Sequence, residues 1–215
     1  MKFTSLFSHK YYLIASFALV CFLYVVAGMY LYVTQSLDTD AAKRIEPIVI
    51  TNADVYGNNL PPQPTAEEIS ASIEGPDKNA NYIRDDVELA IYAEYPHDLK
   101  LRAASLQYAQ ALQLLLTKVG GEETMRIVLM KDSAGWGCIS DQLPSLTEEQ
   151  KLLDDGPELT KIILAYDKIR DEKALFVENL VMNAVERKER KKEIYKKYMT
   201  SFSSGKNDCV LNLGL

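Results

Sequence analysis

Between Tyr11 and Val33 the chain reads YYLIASFALVCFLYVVAGMYLYV, without a charge and with Ser16 as its one clearly polar side chain. An apolar run of this length spans a bilayer as a helix. Beyond it the pattern changes. Residues 35–64 scatter their apolar positions and end in Pro61-Pro62-Gln63-Pro64, which predicts an extended linker with a semi-rigid polyproline end. From residue 65 onward helical periodicity dominates. Thr65-Ala-Glu-Glu68 is a capping box for a short helix, broken by Gly75-Pro76. Val87, Ile91 and Tyr95 recur at intervals of four and stop at Pro96. Asp98 can cap a helix over 99–119, whose wide apolar face carries Leu99, Ala103, Leu106, Leu112, Leu115 and Leu116 before Gly120-Gly121 ends it. Another helix is predicted over roughly 122–132, turning through Gly135 and Gly137. Thr147 to Gln150 spell a second capping box, and one long helix follows Gly156-Pro157 from about 158 to 202. Strand pattern is nearly absent. The prediction is an all-α chain: an N-terminal transmembrane helix followed by a small helical bundle.

Flanking charge orients the membrane segment. Lys2 and Lys10 precede it, while Asp38, Asp40, Lys43, Arg44 and Glu46 follow with no basic excess. The positive-inside rule puts residues 1–10 in the cytoplasm, 11–34 in the inner membrane as an uncleaved signal anchor, 35–64 outside as the linker, and 65–215 outside as the domain. A cleaved signal peptide is the first alternative, with Val25-Val26-Ala27 as the best site, though cleavage there leaves MYLYV exposed. A lipoprotein on Cys21 is the second, but Val20 precedes it where a small residue is required, and apolar residues follow it.

The exported stretch DKNANYIRDDVE, residues 77–88, carries the one chemical pattern. Calcium takes six to eight oxygens, and a 12-residue loop supplies them from positions 1, 3, 5, 7, 9 and 12. Those positions hold Asp77, Asn79, Asn81, Ile83 through its carbonyl, Asp85 and Glu88. The stretch resembles EF-hand-like loops, and in its isolation the single calcium loops of dockerin-like and thrombospondin type-3-like segments of secreted proteins. The resemblance covers about a dozen residues and implies a structural calcium ion. It departs from the pattern at position 6, where Tyr82 replaces the glycine that a positive φ favours. That departure should weaken the site or shift the turn. The bland alternative is a helix start, with Asp85 as N-cap and Glu88 completing a box. The wider chain resembles envelope proteins of gram-negative bacteria, a resemblance that implies no particular activity.

Three cysteines are present, and Cys21 lies in the membrane segment. Cys138 and Cys209, exported to an oxidising compartment, pair most simply as a disulfide, with two buried thiols as the alternative. A metal site from two distant cysteines is disfavoured. The net charge of −6 argues against nucleic acid as a partner. The stretch RKERKKEIYKK, residues 187–197, reads as a solvated helix end, with a basic surface for anionic lipid as the sharper alternative. The one exported histidine, His97, has no evident catalytic partner, and no nucleophile elbow, zinc-protease motif or phosphate loop occurs. The expectation is therefore a non-catalytic, membrane-anchored periplasmic module that binds a protein partner, an immunity protein being one concrete form. An envelope hydrolase and an oligomeric membrane scaffold are the alternatives.

Overall fold

The computed structural model describes residues 4–143 and 156–199. Every element among them is helical: α1 (Thr4–Ile45), α2 (Asn52–Tyr56), α3 (Ala66–Ser70), α4 (Asp85–Glu94), α5 (Leu99–Lys118), α6 (Glu122–Asp141), α7 (Pro157–Val181) and α8 (Val185–Tyr198). The expected capping box at Thr147 and the end of the last helix near Phe202 lie outside the described residues.

α1 has 42 residues and so extends about 63 Å. From Tyr11 to Val33 its side chains are exposed all round, and the helix is long and apolar enough to cross a membrane. The hydroxyls of Ser16 and Thr34 donate to Leu13 O and Leu31 O one turn back, so neither leaves a polar group unpaired on that surface.

The helix does not stop at the end of the apolar run. The expected linker begins instead as three further turns of α1, roughly 18 Å of continuous helix beyond Val33. Ala42 and Ile45 are buried against Leu114, Leu115, Val119, Met125 and Val128. Asp38 caps α6: its carboxylate accepts from Glu123 N at 2.8 Å, Thr124 N at 3.3 Å and Thr124 Oγ1 at 2.7 Å. The rest of the expected linker is also folded. Thr51 and Asp54 make a reciprocal capping box that opens α2, and Gly57 closes it at φ 76°. Pro61 and Pro64 are buried, so the proline cluster packs rather than spacing. Tertiary contacts too remote to show in local composition explain the difference.

α5 is the central helix. Every residue from Arg102 to Leu116 is buried, including the polar ones. A helix covered on all sides must satisfy its polar side chains internally. Gln110 Nε2 donates to Asn81 O and Gln113 Nε2 to Glu74 O, both at 2.7 Å, so the core helix grips the 77–88 loop and its approach. α6 runs through Gly135-Trp136-Gly137, where a turn was expected. A Cβ at Gly135 would lie 2.7 Å from Tyr108 Cα, so the glycine marks a close crossing with α5 rather than a break.

Three buried arginines finish chain segments that would otherwise leave carbonyls unpaired. Arg84 donates to Val181 O and Leu180 O at the end of α7 while pairing with Asp86. Arg102 donates to Tyr95 O, Pro96 O and Val55 O. Arg187 donates to Ile69 O, Ser72 O and Ile73 O. Cations at helix C-termini satisfy orphan carbonyls and oppose the helix dipole. The Arg84 contact stands where the expected single helix over 158–202 divides. Asn183 there accepts from Arg187 Nη1 at 2.7 Å, and α8 starts anew at Val185.

Candidate metal centre

The 77–88 loop folds as a tight wrap of backbone around its own side chains. Asp77, at the first position, accepts from Asn81 N at 3.1 Å and Tyr82 N at 2.9 Å. These bonds pull the fifth and sixth residues back over the first. Tyr82 takes φ 64° and Ala80 φ 57°. The turn is therefore not shifted, and Tyr82 adopts the left-handed conformation that glycine would hold. Non-glycine residues there store roughly 1–3 kcal/mol each and persist where their surroundings over-determine them. Here Lys118 Nζ lies 5.5 Å from the centre of the Tyr82 ring, a cation–π contact that helps hold the residue in place.

Asp85 does not cap α4. Arg84 occupies the N-cap position, without a side-chain cap bond, and Asp85 is the first helical residue. Its Oδ1 turns back into the loop and accepts from Lys78 N at 2.9 Å, because the chain must close on itself before the helix can begin. Ile83 is fully buried, and its N–H donates to Asn81 Oδ1 at 2.9 Å. Glu88, one turn into α4, is fully buried and faces inward. Asn79 Nδ2 donates to its Oε2 at 2.9 Å, and Asn81 Nδ2 to its Oε1 at 3.1 Å.

The structure thus brings Asn79, Asn81 and Glu88 into direct contact. Asp77 and Asp85 bracket them, each committed in part to backbone N–H groups. Two residues that sequence reasoning missed join them. Asp54 Oδ1 accepts from Asn81 Nδ2 at 3.2 Å and from Asn59 Nδ2 at 3.0 Å, and Asn59 O accepts from Asn79 Nδ2 at 3.1 Å. The signal was local: Thr51-Asn-Ala-Asp54 followed by Gly57 spells a capped turn of helix inside a supposed linker. Nothing in it pointed across to the loop.

Electrostatics follow from this crowding. Burial, with Asp54 and Asp85 close by, raises Glu88 to about 7 despite the two amide donors. Burial raises Asp77 as well, reinforced by Asp85. Burial pushes Asp54 upward too, but hydrogen bonds from Thr51, Asn59 and Asn81 outweigh it and hold the carboxyl below the usual range. Buried acceptor atoms remain: Asn59 Oδ1, Asn79 Oδ1 and Asp85 Oδ2 have no hydrogen-bond partner.

Among the described residues no three His, Cys, Asp or Glu side chains come together as a metal-holding group, the acidic side chains of this loop included. Calcium takes carboxylate, amide and carbonyl oxygens, whereas here the amide nitrogens of Asn79 and Asn81 face the Glu88 carboxylate. Asp77, Asn79, Asn81, Asp85 and Glu88, with the Ile83 carbonyl, would hold it. The ion would supply the positive charge that the buried carboxylates lack.

The other expected sites stand apart. His97 is exposed between α4 and α5. Cys138 is buried on α6, and Cys209 lies outside the described residues. Trp136 lies under Arg170, whose guanidinium carbon is 4.4 Å from the centre of the Trp136 ring. The basic stretch is only partly a solvated face: Arg187 is buried, and Arg190 points to Leu116 O and Val119 O at the end of α5.

Comparison with protein families, with curated proteins and with solved structures finds no match for this chain, so its functional reading rests on the membrane helix and the loop themselves.

Proposed function

We propose that this chain is a non-catalytic, membrane-anchored interaction module whose helical bundle projects into the periplasm and is stabilised by one structural calcium ion. The observation that carries the calcium reading is the loop's wrap: Asp77 holds the backbone of Asn81 and Tyr82, Tyr82 takes a positive φ at the sixth position, and Asp85 keeps a buried unpartnered oxygen. The exposed apolar surface of α1 supports the anchor, and the positive-inside rule gives its N-in direction. The bundle's role is to engage a protein partner in the periplasm, an immunity protein against an incoming toxin being one concrete form. The cysteine pair Cys138–Cys209 and lipid contact through residues 187–197 belong to the same reading.

Calcium calorimetry on the full chain in detergent micelles tests it. Saturable binding, lost in both Asp77→Ala and Glu88→Gln and accompanied by a rise in Tm, is expected. No binding at millimolar calcium would remove the ion from the proposal. Crosslinked envelopes that yield no specific partner would remove the interaction role.

A second reading, an oligomeric membrane scaffold, draws support from α7. Its first half buries no side chain among the described residues and presents Ile163, Leu164 and Ile169. A strictly monomeric sedimentation profile would eliminate it.

A further inference from the structure

One face of α7 opens into two hollows, which share Leu175 and Glu178. Leu164 and Leu175 on that face are 61% and 53% exposed. The first hollow, about 690 Å³, lies between α7 and the α5–α6 pair, with Tyr108, Trp136, Leu164 and Ala174 in its lining. The second, about 370 Å³, lies between α7 and α8 over Leu175, Met182 and Tyr195. Exposed apolar side chains are ordinary when scattered, but these line one continuous trough. The α7 residues of the two hollows are centred near Asp171 and Glu178, two helical turns and about 11 Å apart. An amphipathic helix presents apolar anchors at that i, i+7 spacing.

The two rims differ in charge. Asp167, Asp171 and Glu172 stand over the first hollow beside one lysine, Lys168. Arg170 is turned inward, 4.4 Å from the centre of the Trp136 ring. Lys188, Lys191 and Lys192 stand over the second hollow. The first rim is matched only within α7: Arg170 pairs with Asp167 at 2.8 Å and Asp171 at 3.2 Å, and Lys168 with Glu172 at 3.9 Å. On the second rim Lys191 and Lys192 reach Glu178 and Glu189 at 2.6 and 2.7 Å. Exposed pairs of this kind are worth about 1 kcal/mol or less, so a partner's charges can replace them. The trough therefore selects an occupant that is cationic over one hollow and anionic over the other. A second copy in the same membrane does not meet that demand. α6 begins where Asp38 of α1 caps it, and α7 passes Trp136 at Arg170 and Asp132 at Glu178, so α7 descends toward the membrane. A two-fold axis along the membrane normal keeps each rim at its own height and sets acid against acid.

We infer that this trough is the docking surface for an amphipathic helix of a partner protein, with apolar side chains two turns apart, cationic residues toward Asp167, Asp171 and Glu172, and anionic residues toward Lys188, Lys191 and Lys192. The inference rests on the interaction role proposed above and gives it a surface and a partner chemistry.

The test uses the full chain in nanodiscs of zwitterionic lipid and a fluorescent synthetic helix of about 18 residues, which matches the roughly 27 Å from Leu164 to Met182. The probe carries two leucines seven positions apart, lysines on one half and glutamates on the other. Saturable binding by fluorescence anisotropy is expected. Leu175→Asp, at an exposed position where Tm should hold, should weaken it about tenfold or more. The double variant Asp171→Lys, Glu172→Lys should bind this probe severalfold more weakly, and should bind a second probe with glutamates on both halves better than wild type does. No saturation at about 1 mM probe overturns the inference. So does binding within about twofold of wild type in both variants. A dimer in sedimentation that Leu175→Asp abolishes makes a second copy the occupant and overturns it as well. Envelope crosslinking separates this surface from the wider reading: a specific partner captured equally by wild type and Leu175→Asp keeps the interaction role and refutes the trough as its site.

Discussion

Replacing Gly135 with alanine separates a helix-interior glycine from a helix-crossing glycine by the sign of one measurement. Inside a free helix, Gly→Ala should stabilise by about 1 kcal/mol through reduced backbone entropy and better propensity. At Gly135 the new Cβ would sit 2.7 Å from Tyr108 Cα, 2.9 Å from Tyr108 N and 3.1 Å from Tyr108 Cβ. Two of the three are backbone atoms of the central helix, so no rotamer change relieves them. α5 and α6 must move apart by roughly 1 Å to restore ordinary contact distances. Overpacking of this kind costs about 1–3 kcal/mol, and more where backbone must shift. Against the propensity gain, a net loss of about 1–2 kcal/mol is expected, which lowers Tm by roughly 2–8 °C in a domain of this size. Thermal unfolding followed by circular dichroism in micelles measures it, with Gly120→Ala as control because a Cβ there meets nothing within 4 Å. A Gly135→Ala protein with unchanged or higher Tm would refute the close crossing.

Three further outcomes follow from other contacts. Burial, countered by Lys191 and reinforced by Glu178, raises Asp132 to about 6 from 3.8. The unfolded carboxyl ionises first, so the folded state loses stability as pH rises from about 4 to 6. That loss is complete above about 6 and amounts to up to about 3 kcal/mol. Asp132→Asn should therefore match wild type near pH 4 and exceed it at pH 8 in a pH series of melts; equal curves would discard the buried-charge argument. Arg84→Met should cost about 3–5 kcal/mol, since it leaves Asp86 and the Leu180 and Val181 carbonyls without their buried partner, and chemical denaturation that shows less than about 1 kcal/mol would contradict this. Asp38→Ala should cost about 1–2 kcal/mol by uncapping α6 and should speed hydrogen exchange at Glu123 and Thr124, the two amides it accepts from; unaltered exchange there would show α1 is not joined to the bundle at this point.

Local physics was legible in the sequence. An uncharged run from Tyr11 to Val33 needs no tertiary information to be read as a membrane helix, because length and apolarity alone set the cost of placing it in water. Thr65 with Glu68, and Asp98 before Leu101, are caps whose partners lie three residues away, and both form as expected. The oxygen spacing of residues 77–88 was equally local. Tyr82 takes a positive φ although its side chain was expected to disfavour it and shift the turn, so tyrosine carries a conformational penalty there. Asp77 binding two N–H groups of its own loop is what offsets that penalty.

Only the tertiary structure decided the rest, because the deciding partners are far apart in the chain. Residues 35–45 carry few apolar positions, yet they stay helical because Asp38 finds the N-terminus of α6 and Ile45 finds the α5–α6 core. Gly135 and Gly137 look like a turn until Tyr108 is placed against Gly135. Met182 to Ala184 contain no proline or glycine, and α7 ends beside Arg84, whose guanidinium takes the Leu180 and Val181 carbonyls. Asp54 and Asn59 sit in a stretch that composition reads as a linker, and their place beside Glu88 depends on α2 packing against α5 and the loop. Periodicity and capping fix what a segment does with its own neighbours. Which buried charge meets which loop is fixed by packing, where unpaired polar groups are too costly to leave alone.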